Sequence, residues 1–226
     1  MSSDKRFLVL RLCGPFQSWG FDSHFNRRGT GLMPTKSGVA GICCAALGYD
    51  RGCEEEHQFL RVFAKVKMTS INLPRSIKGT TELPIRRCMD FHTVQNTLKA
   101  KGNLDPNCVL THRSYLNDAA FGIILEGKKG LLKLIEQALA NPKRGVWLGR
   151  KACVPSTPVL VGLRENRRDA LSLLIGENVL ASYTHQEEVD DFAGGQDYVL
   201  DNALSFASGD RTFVPRRIRT INATLK

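Results

Sequence analysis

The sequence predicts an α+β fold whose elements follow the order β-α-β-β-α-β. Two observations carry this expectation. An apolar, β-prone run, "RFLVLRLC" (Arg6–Cys13), opens the chain and stops at Gly14-Pro15. Two stretches of helical periodicity, "SGVAGICCAALG" and "KKGLLKLIEQALANP", are each followed by β-prone segments. At 226 residues, 42% of them hydrophobic, the chain can bury such a core without disulfide or metal staples.

In the first helix, Val39, Ile42, Cys43, Ala46 and Leu47 recur at i, i+3, i+4, i+7 and i+8. Thr35 or Ser37 is placed to cap its start and Gly48 to end it. "EEEHQFLRVFAKVKMTSINL" begins helical and turns to strand near Val62–Ile71, and a second strand is expected near Glu82–Cys88. Residues 90–112, "DFHTVQNTLKAKGNLDPNCVLTH", lack a core-forming period and carry Gly102-Asn103 and Asp105-Pro106 turns. They read as an excursion, a hairpin or mobile arm. "RSYLNDAAFGIILEG" returns to strand. The second helix places Leu131, Leu134, Ile135, Ala138 and Leu139 on one face and ends at Pro142. A basic loop, "KRGVWLGRKACVPSTP", leads to the short strand "VLVGL". Beyond Arg164 the pattern weakens, and the tail "RTFVPRRIRTINATLK" reads as an added strand bearing Arg216, Arg217 and Arg219. This order is the ferredoxin-like (RRM-like) arrangement, an antiparallel sheet with two helices on one face. RNA-binding modules of that architecture use the open sheet face. The expected division is residues 1–163 as this domain, with an insertion at about 90–112, and residues 164–226 as a C-terminal β extension.

The net charge is +10, which favours an anionic partner, most often nucleic acid, through phosphate neutralisation. Residues 141–168 hold seven bases (Lys143, Arg144, Arg150, Lys151, Arg164, Arg167, Arg168) against Glu165 alone. Residues 186–201 hold Glu187, Glu188, Asp190, Asp191, Asp197 and Asp201 and no base. Distinct faces are expected, one for a polyanion and another for a protein partner or solvent. No run of about 18 apolar residues is present to span a membrane. The apolar core of the N-terminal run is too short for a signal peptide, so a cytoplasmic protein is expected. The seven cysteines are odd in number and none shows C-x-x-C spacing. They read as buried reduced thiols, with no metal or other cofactor expected.

The stretch "GPFQSWGFDSHFNRRGTGLMPTKSG" (Gly14–Gly38) holds most of the candidate site. A nucleotide-binding Walker loop requires glycine directly before the lysine, and Thr35 stands there. The remaining physics is a helix N-terminus near Lys36 and Ser37, whose free N–H groups and dipole suit a polynucleotide phosphate. Trp19, Phe21 and Phe25 alternate with Arg27 and Arg28, a composition suited to stacking bases and pairing phosphates. Trp19 would equally well close the core over the first strand. Arg150 and Lys151, after Gly145 and Gly149, form a glycine-hinged loop that should lie near this stretch and could grip a backbone. His92 and His112 bracket the excursion, with Arg113 beside them, and Tyr49 and Tyr115 are further titratable groups. Metal-independent RNA cleavage needs only a base, an acid and a cation on the phosphate. No Ser-His-Asp order, paired-carboxylate spacing or metal set accompanies these residues.

The blocks "LRLCGPFQSWG", "RRGTGLMPTKSGVAGICCAALG", "MDFHTVQ", "THRSYLNDAAFGIILEG" and "VWLGRKACVPSTPVLVG" together resemble CRISPR-associated proteins of the fifth Cas family, most closely the CasD type of the type I-E Cascade complex. They cover residues 8–163 in family order, and the region after Arg164 matches poorly. The resemblance implies a ferredoxin-like fold with a protruding thumb that caps the 5′ end of the guide RNA (crRNA). The partners it implies are that RNA, the backbone subunit and the large subunit, with target DNA reached only indirectly. By position, Arg28, Lys36 and Ser37 would hold handle phosphates at the first helix, and Arg150 and Lys151 would help from the glycine loop. The thumb would be His92–His112, displacing a base where handle meets spacer. In related type I-C complexes a family member cuts precursor RNA, whereas in type I-E a separate ribonuclease does so. The resemblance therefore implies a non-catalytic subunit; the alternative is a metal-independent endoribonuclease using His92 or Tyr49.

Overall fold

The computed structural model describes residues 4–20, 23–24 (backbone only), 26–75, 84–99, 102–104, 106–191, 193–194 and 197–223. The N-terminal apolar run becomes β1 (Lys5–Cys13), flanked antiparallel by β8 (Ala120–Lys128) and β9 (Leu160–Arg164). β5 (Lys67–Asn72) lies on the far side of β8, with Met68 opposite Leu125. The helices between these strands are α1 (Lys36–Leu47) and α3 (Lys129–Ala140). The strand order β5-β8-β1-β9, antiparallel throughout, matches the expected α+β arrangement.

Residues after Arg164 join the same sheet. They form α4 (Arg167–Ile175), a short 3₁₀ turn at Leu180–Ser182, and strands β10 (His185–Val189), β11 (Asp197–Ser205) and β12 (Thr212–Ile221). These strands extend the β5 edge to a seven-stranded sheet, β11-β12-β10-β5-β8-β1-β9. β1 reads as a continuous apolar run because both of its faces are covered. Leu8, Leu10 and Leu12 face the layer of α1, α2 (Glu54–Phe63) and α3, whereas Phe7 and Val9 face Ala170, Leu174 and Ile175 of α4. The sheet face that RNA-binding modules of this architecture leave open is closed here by α4. The packing there is tight enough that a Cβ on Gly122 would meet Leu174 at 2.6 Å.

The helix ends follow their sequence signals. Thr35 Oγ1 accepts from the Gly38 N–H, and Gly48 takes the left-handed conformation at φ +80° that closes α1. In α3 the buried row is Leu132, Ile135 and Leu139, while Leu134, expected inside, is 43% exposed. Of the cysteines, Cys43, Cys44 and Cys153 are buried, but Cys108 is exposed. Burial pushes the Cys44 thiol up to about 12, keeping it unreactive. No helix among the described residues is long and apolar enough to cross a membrane.

A second, smaller sheet projects from the first. β6 (Arg86–Val94) and β7 (Val109–Asn117) pair along their whole length, Arg86 opposite Asn117 and Val94 opposite Val109. The strand expected near Glu82–Cys88 thus starts at Arg86 within the described residues and belongs to this arm, not to the main sheet. The arm is longer at both ends than the aperiodic stretch that announced it, because β6 is largely solvent-exposed and carries no core pattern. Asp118, at φ +50°, makes the turn from β7 into β8. β7 also pairs with β2 (Phe16–Gln17) and, in parallel, with β4 (Arg27–Arg28), which in turn pairs with β3 (Ser23–His24).

Candidate nucleic-acid interface

β-sheet alternation sorts the arm into two faces. The paired residues Phe91, His112 and Arg27 share one face, and Asp90, Arg113 and Arg28 share the other. Arg27 and Arg28 are exposed and Arg113 is half-buried; among the described residues no carboxylate forms an ion pair with any of them. Tyr115 alternates onto the Arg28 face, and the Arg150 guanidinium lies over its ring at 4.7 Å. Guanidinium groups thus gather on one face with Asp90 as the only carboxylate paired in register, a charge excess that suits a phosphate backbone.

The glycine loop lies against the opening stretch, as its sequence led us to expect. The Ser18 N–H donates to the Leu148 carbonyl at 3.0 Å, and a Cβ on Gly149 would stand 1.8 Å from the Ser18 carbonyl oxygen. With φ at +99°, only glycine fits this position. Arg150 is half-buried and donates to the carbonyls of Ser114 (3.2 Å) and Arg28 (2.9 Å), whereas Lys151 is exposed.

Two expected ligands point inward. Trp19 is 1% exposed; its indole N–H donates to Gln17 Oε1 at 3.1 Å, and a Cβ on Gly38 would meet its ring at 2.8 Å. Gln17, also buried, donates to the carbonyls of Leu12 and Ala119, so "GPFQSWG" is the joint between the two sheets. Trp19 cannot stack on a base and serves the core. Lys36 is fully buried, with its Nζ donating to Glu188 (2.9 and 3.1 Å) and to the Ala64 carbonyl (2.9 Å). Burial pushes the Lys36 ammonium down, against the pull of Glu188. The first backbone N–H of α1 is also occupied: Lys36 N–H donates to Asp201 Oδ2 at 2.7 Å. An internal carboxylate therefore fills the anion site expected for RNA, and Lys36 is a structural ion. Ser37 is half-buried, its Oγ 3.4 Å from Thr35 Oγ1. Phe21 and Phe25 lie outside the described residues.

The acidic stretch is mostly neutralised from within. Arg216 binds Asp201 through Nε (2.6 Å) and Nη2 (3.0 Å), Arg167 and Arg219 bind Glu187, and Lys67 binds Asp190. The bases of residues 141–168 likewise disperse, Arg144 to Asp50 and Arg167 to Glu187. Arg167 of the basic run thus pairs with Glu187 of the acidic run, so the two runs meet at this contact.

The cleavage candidates are not brought together. His92 pairs across from Thr111 and His112 from Phe91, which puts the two imidazoles on opposite faces of the arm. His112 packs edge-on against Phe91, with centroids 5.1 Å apart. Tyr49 packs on Phe59 in the helical layer, and burial raises its hydroxyl above the ordinary range. The sequence reading overlooked Met89 (69% exposed) and Phe91 (58% exposed), which share a face of β6. Their period-2 spacing with Arg87 was the available signal.

A basic sheet arm built on a split β-α-β-β-α-β sheet defines a class, and comparison with known proteins gives it a name. The family model described as CRISPR-associated protein (Cas_Cas5) matches residues 7–219. The chain belongs to that family. It is 27% identical over 189 residues to the CRISPR system Cascade subunit CasD of Escherichia coli (strain K12), covering 82% of this chain and 83% of the relative. It superposes on a chain of a CRISPR RNA-guided surveillance complex with a TM-score of 0.75 and 28% identity, covering 96% of this chain and 90% of that one. A crystal structure of a Cas protein gives a TM-score of 0.66 and 29% identity, covering 96% and 98%.

Proposed function

We propose that this protein is a non-catalytic RNA-binding subunit of a type I CRISPR surveillance complex (Cascade). It binds the 5′ handle of the guide RNA and caps the backbone filament in antiviral defence, working in the cytoplasm. The observation that carries this reading is the guanidinium-rich arm: Arg28 and Arg113 on one face and Arg27 on the other, unpaired with carboxylates among the described residues, together with exposed Lys151. Phosphate contacts from these groups supply affinity, and bases splayed against the protein supply specificity. The β6–β7 arm acts as the thumb, its exposed Met89 and Phe91 offering apolar surface where handle meets spacer. Neighbouring backbone and large subunits complete the assembly, and target DNA is reached only through the guide. The opposed faces of His92 and His112 and the remote packing of Tyr49 support a subunit that holds RNA intact.

The test incubates purified protein with labelled repeat-spacer RNA in EDTA and in magnesium, followed by native and denaturing gels. The expected result is a handle-dependent shift with intact RNA in both. Specific cut products in EDTA, abolished by His92→Ala, would make the protein a processing nuclease instead.

A further inference from the structure

β4 is only two residues long, and both of them are exposed arginines. Its ladder to β7 consists of the pairs Arg27–His112 and Arg28–Arg113, reinforced by the His112 N–H donating to the Asn26 carbonyl at 2.7 Å. So short a strand has little hold of its own. Arg150 supplies a further tie from a third segment. Its Nη2 donates to the Arg28 carbonyl and its Nη1 to the Ser114 carbonyl, one acceptor on each of the two strands. The guanidinium plane lies over Tyr115, whose ring meets Phe16 of β2 edge-on at 5.7 Å. Behind it, the Cys153 N–H closes on the Arg150 carbonyl at 2.8 Å, and Gly149 presses against Ser18.

We propose that Arg150 is a positioning residue: it clamps β4 onto β7 and so holds Arg28 on the guanidinium-bearing face offered to the RNA, with Arg27 presented on the opposite face. This rests on the RNA-binding reading above for its consequence, though not for the clamp itself. A planar fork that reaches two carbonyls while stacking on a ring is a geometry lysine cannot reproduce. Each terminal nitrogen gives one N–H to a backbone carbonyl, which fixes the plane of the guanidinium over Tyr115.

The test compares wild type, Arg150→Lys and Arg150→Ala in two ways. Amide hydrogen exchange in the free protein is read over residues 26–31 and 109–117, and handle-RNA affinity is titrated against salt. Both variants should speed exchange of 26–31 about tenfold, because local opening is less opposed. Arg150→Lys should weaken RNA binding about tenfold and lower the log–log salt slope by roughly 0.7 to 1.4, although its charge is retained. In an Arg27→Ala/Arg28→Ala background it should have no further effect on affinity. Should Arg150→Ala fail to fold, Arg150→Lys and Arg150→Gln carry the same comparison. Wild-type exchange in Arg150→Lys would overturn the clamp, and a wild-type slope with additive losses would make Arg150 a direct phosphate contact. A wild-type protein that retains no handle RNA would overturn the proposed function, and the exchange data would still decide the clamp.

Discussion

Two clusters in this protein use the same basic side chains for opposite ends. Where β10–β12 meet α1, Lys36 and Arg216 are buried, and each reaches a carboxylate, Glu188 or Asp201. On the arm, Arg27 and Arg28 are exposed, and no described carboxylate pairs with them. The first cluster is a closed ionic joint that pins the C-terminal strands to the first helix. The second is an open charge excess waiting for an anion. What separates them is whether the fold delivers a carboxylate, and nothing intrinsic to the lysine or arginine decides that.

The sharpest way to break this contrast is to open the closed cluster. Asp201→Ala leaves the Arg216 guanidinium buried without its bidentate partner and removes the acceptor of the Lys36 N–H. A loss of about 3–4 kcal/mol in urea unfolding is expected, because Glu188, 3.6 Å from Arg216 Nη1, compensates the buried charge only in part. The RNA salt slope of protein that remains folded should not change; a lower slope would show that the two clusters are one.

Next in size is Gly149→Ala. The new Cβ would meet the Ser18 carbonyl, at a φ that L-residues resist, and a loss of about 2–3 kcal/mol in thermal unfolding is expected. RNA binding should weaken along with it, because the loop carries Arg150.

A smaller effect, confined to binding, separates the clusters directly. Arg28→Ala should weaken handle-RNA binding about tenfold and lower the salt slope by roughly 0.7, with stability within about 0.5 kcal/mol of wild type. Lys36→Met should do the reverse: reduced stability in denaturant titration and an unchanged slope. Equal slopes for Arg28→Ala and wild type would remove Arg28 from the interface.

The smallest effect is a pH dependence. Burial alone would raise the Glu187 carboxyl, yet the hydrogen bond from Arg219 and the charges of Arg167, His185 and Arg219 outweigh it and hold the group below the ordinary glutamate range. A carboxyl depressed on folding contributes stability that is full above its unfolded value, about 4.3, and is lost as pH falls through the folded one. Glu187→Gln should therefore flatten the acid limb of a stability–pH curve and leave the slope between pH 6 and about 8 unchanged. An acid limb identical to wild type would show that the Arg167 and Arg219 contacts contribute nothing.

Much of the molecule was legible from the chain itself. Helix α1, with its Thr35 cap and Gly48 stop, the buried strand β1, the helix-to-strand change before β5 and the existence of an arm all follow from periodicity and turn residues. These are short-range effects, in which a residue's neighbours within a turn or two decide its conformation. The glycine loop was expected near the opening stretch, and the Leu148–Ser18 contact agrees. Three things required the tertiary structure: the closure of the second sheet face by α4, the placement of β6 in the arm, and the fate of each charge. Lys36 reads as a phosphate ligand because its partner, Glu188, lies 152 positions away. Arg150 reads as another, because its acceptors are carbonyls on two distant strands. Periodicity records which side of an element faces the core. It does not record which distant carboxylate or carbonyl the fold will bring within three ångströms of a cation, and that distance separates a buried structural ion from a surface contact.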